Sequence, residues 1–183
     1  MRKRMIVSIA FILVMALNGC TAKEQESSQE AEELSPGEVP ELTLQDSLSS
    51  TYNPLKIKSG NYTWNYEQAG EMKGMVACGC APLEEAAMDF TAKLDLPEYN
   101  GTDSVLYSLS AQKDPDTVTV SCWDASDVGN ADAKKESVTI YDPEMYIVEL
   151  EAGKVYEFAA EWKEENLDKN GFYGTASYVL VTE

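Results

Sequence analysis

In Thr117-Val118-Thr119-Val120-Ser121-Cys122 the apolar and polar side chains alternate without a break. Residues two apart share one face of a β-strand, so Val118, Val120 and Cys122 are predicted to face a core while their neighbours face away. The pattern recurs downstream. Tyr156, Phe158, Ala160 and Trp162 alternate with Glu157, Ala159 and Glu161, and Ala176, Tyr178 and Leu180 repeat it near the end. Further strands are predicted over 62–66, 72–78, 105–109, 138–141 and 145–150. Turn dipeptides separate them, among them Asn100-Gly101, Asp114-Pro115, Asp142-Pro143 and Asn170-Gly171. Short strands broken at this spacing predict an all-β, antiparallel β-sandwich over residues 51–183. Residues 83–96 fit both periods: Leu83, Ala87, Phe90 and Leu94 lie on a helical face, whereas Met88, Phe90, Ala92, Leu94 and Leu96 alternate. The reading taken is a turn at Pro82 to Glu85 followed by a strand.

The other end of the chain carries an address. Arg2, Lys3 and Arg4 precede an apolar run from Met5 to Leu17, too short for the roughly 20 residues of a spanning helix, and Leu17-Asn18-Gly19-Cys20 closes it. This leader resembles the lipobox signal of bacterial lipoproteins. The resemblance implies a signal peptide over 1–19, a diacylglycerol on the sulfur of Cys20, and a chain held to the cell membrane on its extracytoplasmic side. Acyl chains contribute about 0.8 kcal/mol per buried CH₂, so two or more long ones anchor stably.

Residues 20–50 then change character. Glu24, Glu26, Glu30, Glu32, Glu33, Glu38 and Glu41 are interspersed with serines and prolines, and little apolar surface is available to offset the entropy of ordering. An acidic, disordered tether is predicted there, extended by its own like charges. Formal net charge is −18 for the whole chain and becomes −21 once the three leader cations are removed. Such a surface repels nucleic acid within the Debye length of about 8 to 10 Å, which excludes it as a partner.

The closing segment, Leu150-Glu151-Ala152-Gly153 followed by Tyr156, Trp162 and a last strand through Tyr178, resembles the ending of small immunoglobulin-like domains of bacterial lipoproteins. It is also similar to the ending of some immunoglobulin-like bacterial protease inhibitors. The resemblance implies an immunoglobulin-like sandwich and transfers no functional residue.

Beyond Cys20 the cysteines are Cys78, Cys80 and Cys122. Cys78 and Cys80 would lie about 6.5 to 7 Å apart on a strand, too far to pair with each other undistorted. A disulfide from Cys122 to either one is a candidate, and three buried, unbridged thiols are the other main reading. A three-thiolate metal site needs a carboxylate as fourth ligand, because the chain contains no histidine. No cofactor is predicted. Asn166, Asp168, Asn170 and Gly171 match the first half of a calcium loop, but Ser177 stands where the bidentate glutamate belongs, so a polar turn is the better reading. Without histidine no Ser-His-Asp or Cys-His arrangement exists, and no phosphate-cradling glycine loop is present, so an enzyme is not predicted. Tyr62, Trp64 and Tyr66 share one face and are read as core before they are read as a sugar platform. The expected function is that of a membrane-anchored lipoprotein displaying an immunoglobulin-like binding or accessory domain to a protein or glycan partner. The alternative is an inhibitor or sensor of an envelope protease or other envelope enzyme.

Overall fold

A computed structural model describes residues 34–99, 104–141 and 146–183. The leader and Cys20 lie outside these residues. Within them the chain forms β1 (Leu42–Asp46), β2 (Leu55–Ile57), β3 (Asn61–Gln68), β4 (Glu71–Ala77), β5 (Ala92–Leu94), β6 (Ser104–Ala111), β7 (Thr117–Asp124), β8 (Ser137–Tyr141), β9 (Ile147–Glu151), β10 (Lys154–Trp162) and β11 (Phe172–Thr182). A four-stranded sheet runs β2-β1-β6-β9. A seven-stranded sheet runs β4-β3-β11-β10-β7-β8, with β5 pairing the end of β11. Every pairing is antiparallel except β5 with β11. The molecule is therefore an all-β sandwich, compatible with an immunoglobulin-like fold.

The alternating strands supply the core as their period requires. From the larger sheet Val118, Val120, Cys122, Phe158, Ala160, Trp162, Ala176, Tyr178 and Leu180 meet Leu42, Leu44, Val105, Leu109, Val148 and Leu150 of the smaller one. Trp162, Gly174 and Trp64 stand side by side on β10, β11 and β3. The two indoles meet edge to face at 5.1 Å across that glycine. A Cβ at Gly174 would approach the Thr63 carbonyl oxygen to 2.1 Å, so glycine is what lets the indoles close over it. Trp64 is fully buried, with Tyr62 and Tyr66 packed half-buried against the same core, which makes this aromatic face structural.

Two expectations need correction. The tether does not reach residue 50: β1 pairs with both β2 and β6, and its Leu42 and Leu44 are buried. The acidic composition around it hides a short apolar alternation that is sufficient for a strand once partners flank it. In 83–96 the turn is a one-turn 3-10 helix at Glu85–Ala87, and the strand shrinks to β5. Phe90, common to both periodic readings, is on neither buried face; it is 89% exposed.

Candidate functional site

After β4 the chain leaves the edge of the larger sheet and crosses its outer face, the face turned away from the core. Cys78-Gly79-Cys80 makes the departure. The side chain of Asn61 clamps it, accepting from the Gly79 N–H and donating from Nδ2 to the Cys80 carbonyl at 2.9 Å. A Cβ on Gly79 would sit 2.6 Å from the Gly60 carbonyl oxygen, so the strand edge and the turn can approach this closely only through glycine. Further on, Leu83 packs against Trp123 and Val155, outer-face residues of β7 and β10, and its carbonyl accepts from Gly129 N–H at 2.8 Å. The 3-10 turn follows. Phe90 N–H and Thr91 Oγ1 both donate to the Ala87 carbonyl, at 3.0 and 2.8 Å, before the chain joins β11 as β5. Residues 78–91 thus form a strap pinned at both ends and in the middle.

The strap opens a cavity on each side. One, of about 490 Å³, lies between its return leg, β2 and β11, with Ile57, Phe90, Ala92 and Val179 among its apolar lining, Cys80 in its wall, and Lys56 and Lys58 beside it. The other, of about 790 Å³, lies between Leu83, Glu84 and Glu85 on the strap and Trp123, Ala131 and Lys135. Lys135 Nζ sits 5.1 Å from the centre of the Trp123 ring and donates to the buried Ser121 Oγ at 2.8 Å. Both volumes fall in the range of about 300 to 1,000 Å³ typical of small-ligand sites. Beyond the strap the outer face is bare, with Val76 on β4 and Val138 and Ile140 on β8 exposed.

The cysteines are not brought together. Cys122 lies in the core between the sheets, whereas Cys80 lines the outer-face cavity with Ser177 and Val179, and Cys78 lines a shallow hollow with Val76 and Thr175. The larger sheet stands between Cys122 and the other two, so the expected bridge does not form and all three thiols are free. The reading of three buried thiols also needs correction, because Cys78 is exposed and Cys80 half-buried. Among the described residues no group of three or more histidine, cysteine or carboxylate side chains gathers to hold a metal. Asn166 lies in a one-turn 3-10 helix, followed by a short helix ending at a left-handed Gly171, and its Nδ2 donates to Asp116 Oδ1 at 2.5 Å. This is the polar turn expected there.

Desolvation raises the Cys80 pKa, and a hydrogen bond with Glu84 and the charge of that carboxylate raise it further. Since the thiolate is the nucleophile, Cys80 is a slow thiol at neutral pH. Glu84→Gln is expected to lower this pKa and speed alkylation of Cys80 at mildly alkaline pH, followed by mass spectrometry with Cys78 as internal reference. An unchanged rate would remove Glu84 from the account. Sequence reading singled out Cys78 and Cys80 but missed the strap. The one signal for it was the failure of 83–96 to settle on either period.

No protein-family model, curated protein or solved structure matches this chain.

Proposed function

We propose that this protein is a membrane-tethered, extracytoplasmic lipoprotein whose β-sandwich is a binding module, acting by contact and not by catalysis on a protein or glycan partner. Cys20 supplies the anchor, the acidic segment after it supplies reach, and the strapped outer face of the larger sheet supplies the contact surface. One observation carries the contact surface: Phe90, a large apolar residue, is 89% exposed on a strap that is otherwise pinned by hydrogen bonds and apolar packing. Exposed aromatic side chains beside cavities, on segments held by a rigid scaffold, are the usual material of recognition sites. The sandwich holds the strap in place before a partner arrives, which lowers the entropy lost on binding.

Two measurements test the parts separately. Cys20→Ala is expected to move the protein from the membrane fraction to the soluble one; retention on membranes through a high-salt wash would remove the lipid anchor. With a photo-crosslinking residue at position 90 of the anchored protein, a discrete adduct is expected that is absent when the residue is placed at Glu151, an exposed β9 position on the smaller sheet. Equal labelling from both positions would remove the outer face as the contact surface. An adduct with an envelope protease or another envelope enzyme would select the inhibitor or sensor role over display.

A further inference from the structure

We infer that the cavity between the return leg of the strap, β2 and β11 binds a single-chain alkyl carboxylate, an apolar chain carrying one anionic end. The inference rests on the outer face being a binding surface, and it assigns a ligand chemistry to the cavity that runs from that face to β2 of the smaller sheet.

The chain-binding part follows from the lining. Ala92 and Val179, both half-buried, present aliphatic surface over the buried Ile57, and Phe90 stands at the cavity with its ring almost wholly in solvent. A ring so placed leaves apolar area uncovered on a segment whose own backbone is held, and an alkyl chain lying in the cavity would cover it. The volume of about 490 Å³ suits a ligand of modest size.

The sign of the head group follows from charge. The chain carries Asp+Glu 32 against Lys+Arg 14, yet two lysines, Lys56 and Lys58, line this one cavity. Both reach the same partner, Glu41, at 3.7 and 3.6 Å. Within this trio one carboxylate faces two ammonium groups, which leaves one positive charge uncompensated at the lysines, while the Glu84 carboxylate lies against Cys80 elsewhere in the wall. Both lysine side chains are exposed, at 56% and 85%, so either can swing to a ligand carboxylate without leaving a buried charge behind. A cationic or neutral amphiphile would gain nothing from this pair. The Trp123 cavity on the other side of the strap differs in kind, with Glu84 and Glu85 facing a single lysine already seated on the indole.

Cys80 reports on occupancy because it lines this cavity, while Cys78, two residues away, lines a different hollow. The experiment uses the full chain carrying Cys20→Ala, with hexanoate, octanoate, decanoate, decanol and decyltrimethylammonium as probes, read by calorimetry and by alkylation of each thiol. Alkylation of Cys80, and not of Cys78, is expected to slow on adding decanoate. Affinity is expected to rise along the carboxylate series by up to about four-fold per methylene while chain still enters the cavity. Decanoate should bind more tightly than decanol, and decanol more tightly than the ammonium. Phe90→Ala and the double variant Lys56→Gln/Lys58→Gln should each weaken decanoate, the latter by up to about five-fold per lysine, whereas Glu41→Gln should strengthen it by a similar factor by removing the competing carboxylate. All four substitutions are at solvent-exposed or surface-paired side chains, so circular dichroism should be unchanged. Equal binding of decanoate and the ammonium, equal slowing of both thiols, or indifference to Glu41→Gln would overturn the inference. If decanoate fails while the adduct at position 90 persists, the ligand assignment falls and the binding surface stands. If the adduct is lost as well, the failure is that of the surface itself.

Discussion

A fragment beginning at Thr51 is expected to lack a cooperative unfolding transition, whereas one beginning at Leu34 should fold. β1 lies between β2 and β6 in the smaller sheet, so its removal unpairs two strands at once. Leu42 and Leu44 are 0% and 1% exposed, and burying a leucine side chain stabilises by about 1.5 to 3 kcal/mol. The loss also strips the acceptor from the buried Tyr178 hydroxyl, which donates to the Pro40 carbonyl at 2.6 Å; an orphaned buried polar group costs about 1 to 3 kcal/mol. Together these come to roughly 4 to 9 kcal/mol, comparable with the whole stability of about 5 to 15 kcal/mol that domains of this kind possess. Urea titration of the two fragments, followed by tryptophan emission, decides the matter. A transition with the same midpoint in both would show that β1 is dispensable and that the domain does begin near residue 51.

Trp162→Ala is expected to destabilise the intact domain by about 3 to 5 kcal/mol, the range for removing a buried large aromatic. Trp162 is 1% exposed, meets Trp64 edge to face, stands 6.2 Å from the Phe172 ring, and donates from Nε1 to the Lys113 carbonyl at 3.0 Å. The substitution therefore opens a cavity under a second tryptophan and removes the hydrogen bond to the Lys113 carbonyl. Trp64 is just as buried, but its Nε1 has no hydrogen-bond partner among the described residues. Its replacement by phenylalanine should thus cost less than the same change at 162. A denaturation midpoint unmoved by Trp162→Ala would place that indole outside the core.

The strands that were legible share one property. In β7, β10 and β11 every second side chain is apolar over six residues or more, and such a strand declares its buried face without reference to any other segment. β1 carries the same signal in miniature, Leu42 and Leu44 flanking Thr43, but it is too short to outweigh the glutamates, serines and prolines around it. Gly37 belongs to that overlooked region too: a Cβ there would lie 2.7 Å from the ring of Tyr66, so the chain runs directly over a half-buried aromatic that no local pattern connects with it.

The thiols mark the boundary most clearly. Periodicity placed Cys122 on the core face, and it is there. The proposed link to Cys78 or Cys80 required knowing which strands are neighbours, and three strands separate β4 from β7. The candidate site lies wholly on the far side of that boundary, since Cys80 and Phe90 on the strap, Lys56 on β2 and Val179 on β11 come from three segments with no shared pattern. By itself, then, the sequence determined the class, the buried faces of the long strands, the acidic surface and the expectation of an anchor at Cys20, because period-two alternation and composition are local properties of a chain. Strand order, the inclusion of β1, the separation of the thiols and the cavities beside the strap were decided only in the tertiary structure. They depend on which distant segments pair, and many pairings satisfy the same local alternation while only one satisfies the packing of the whole.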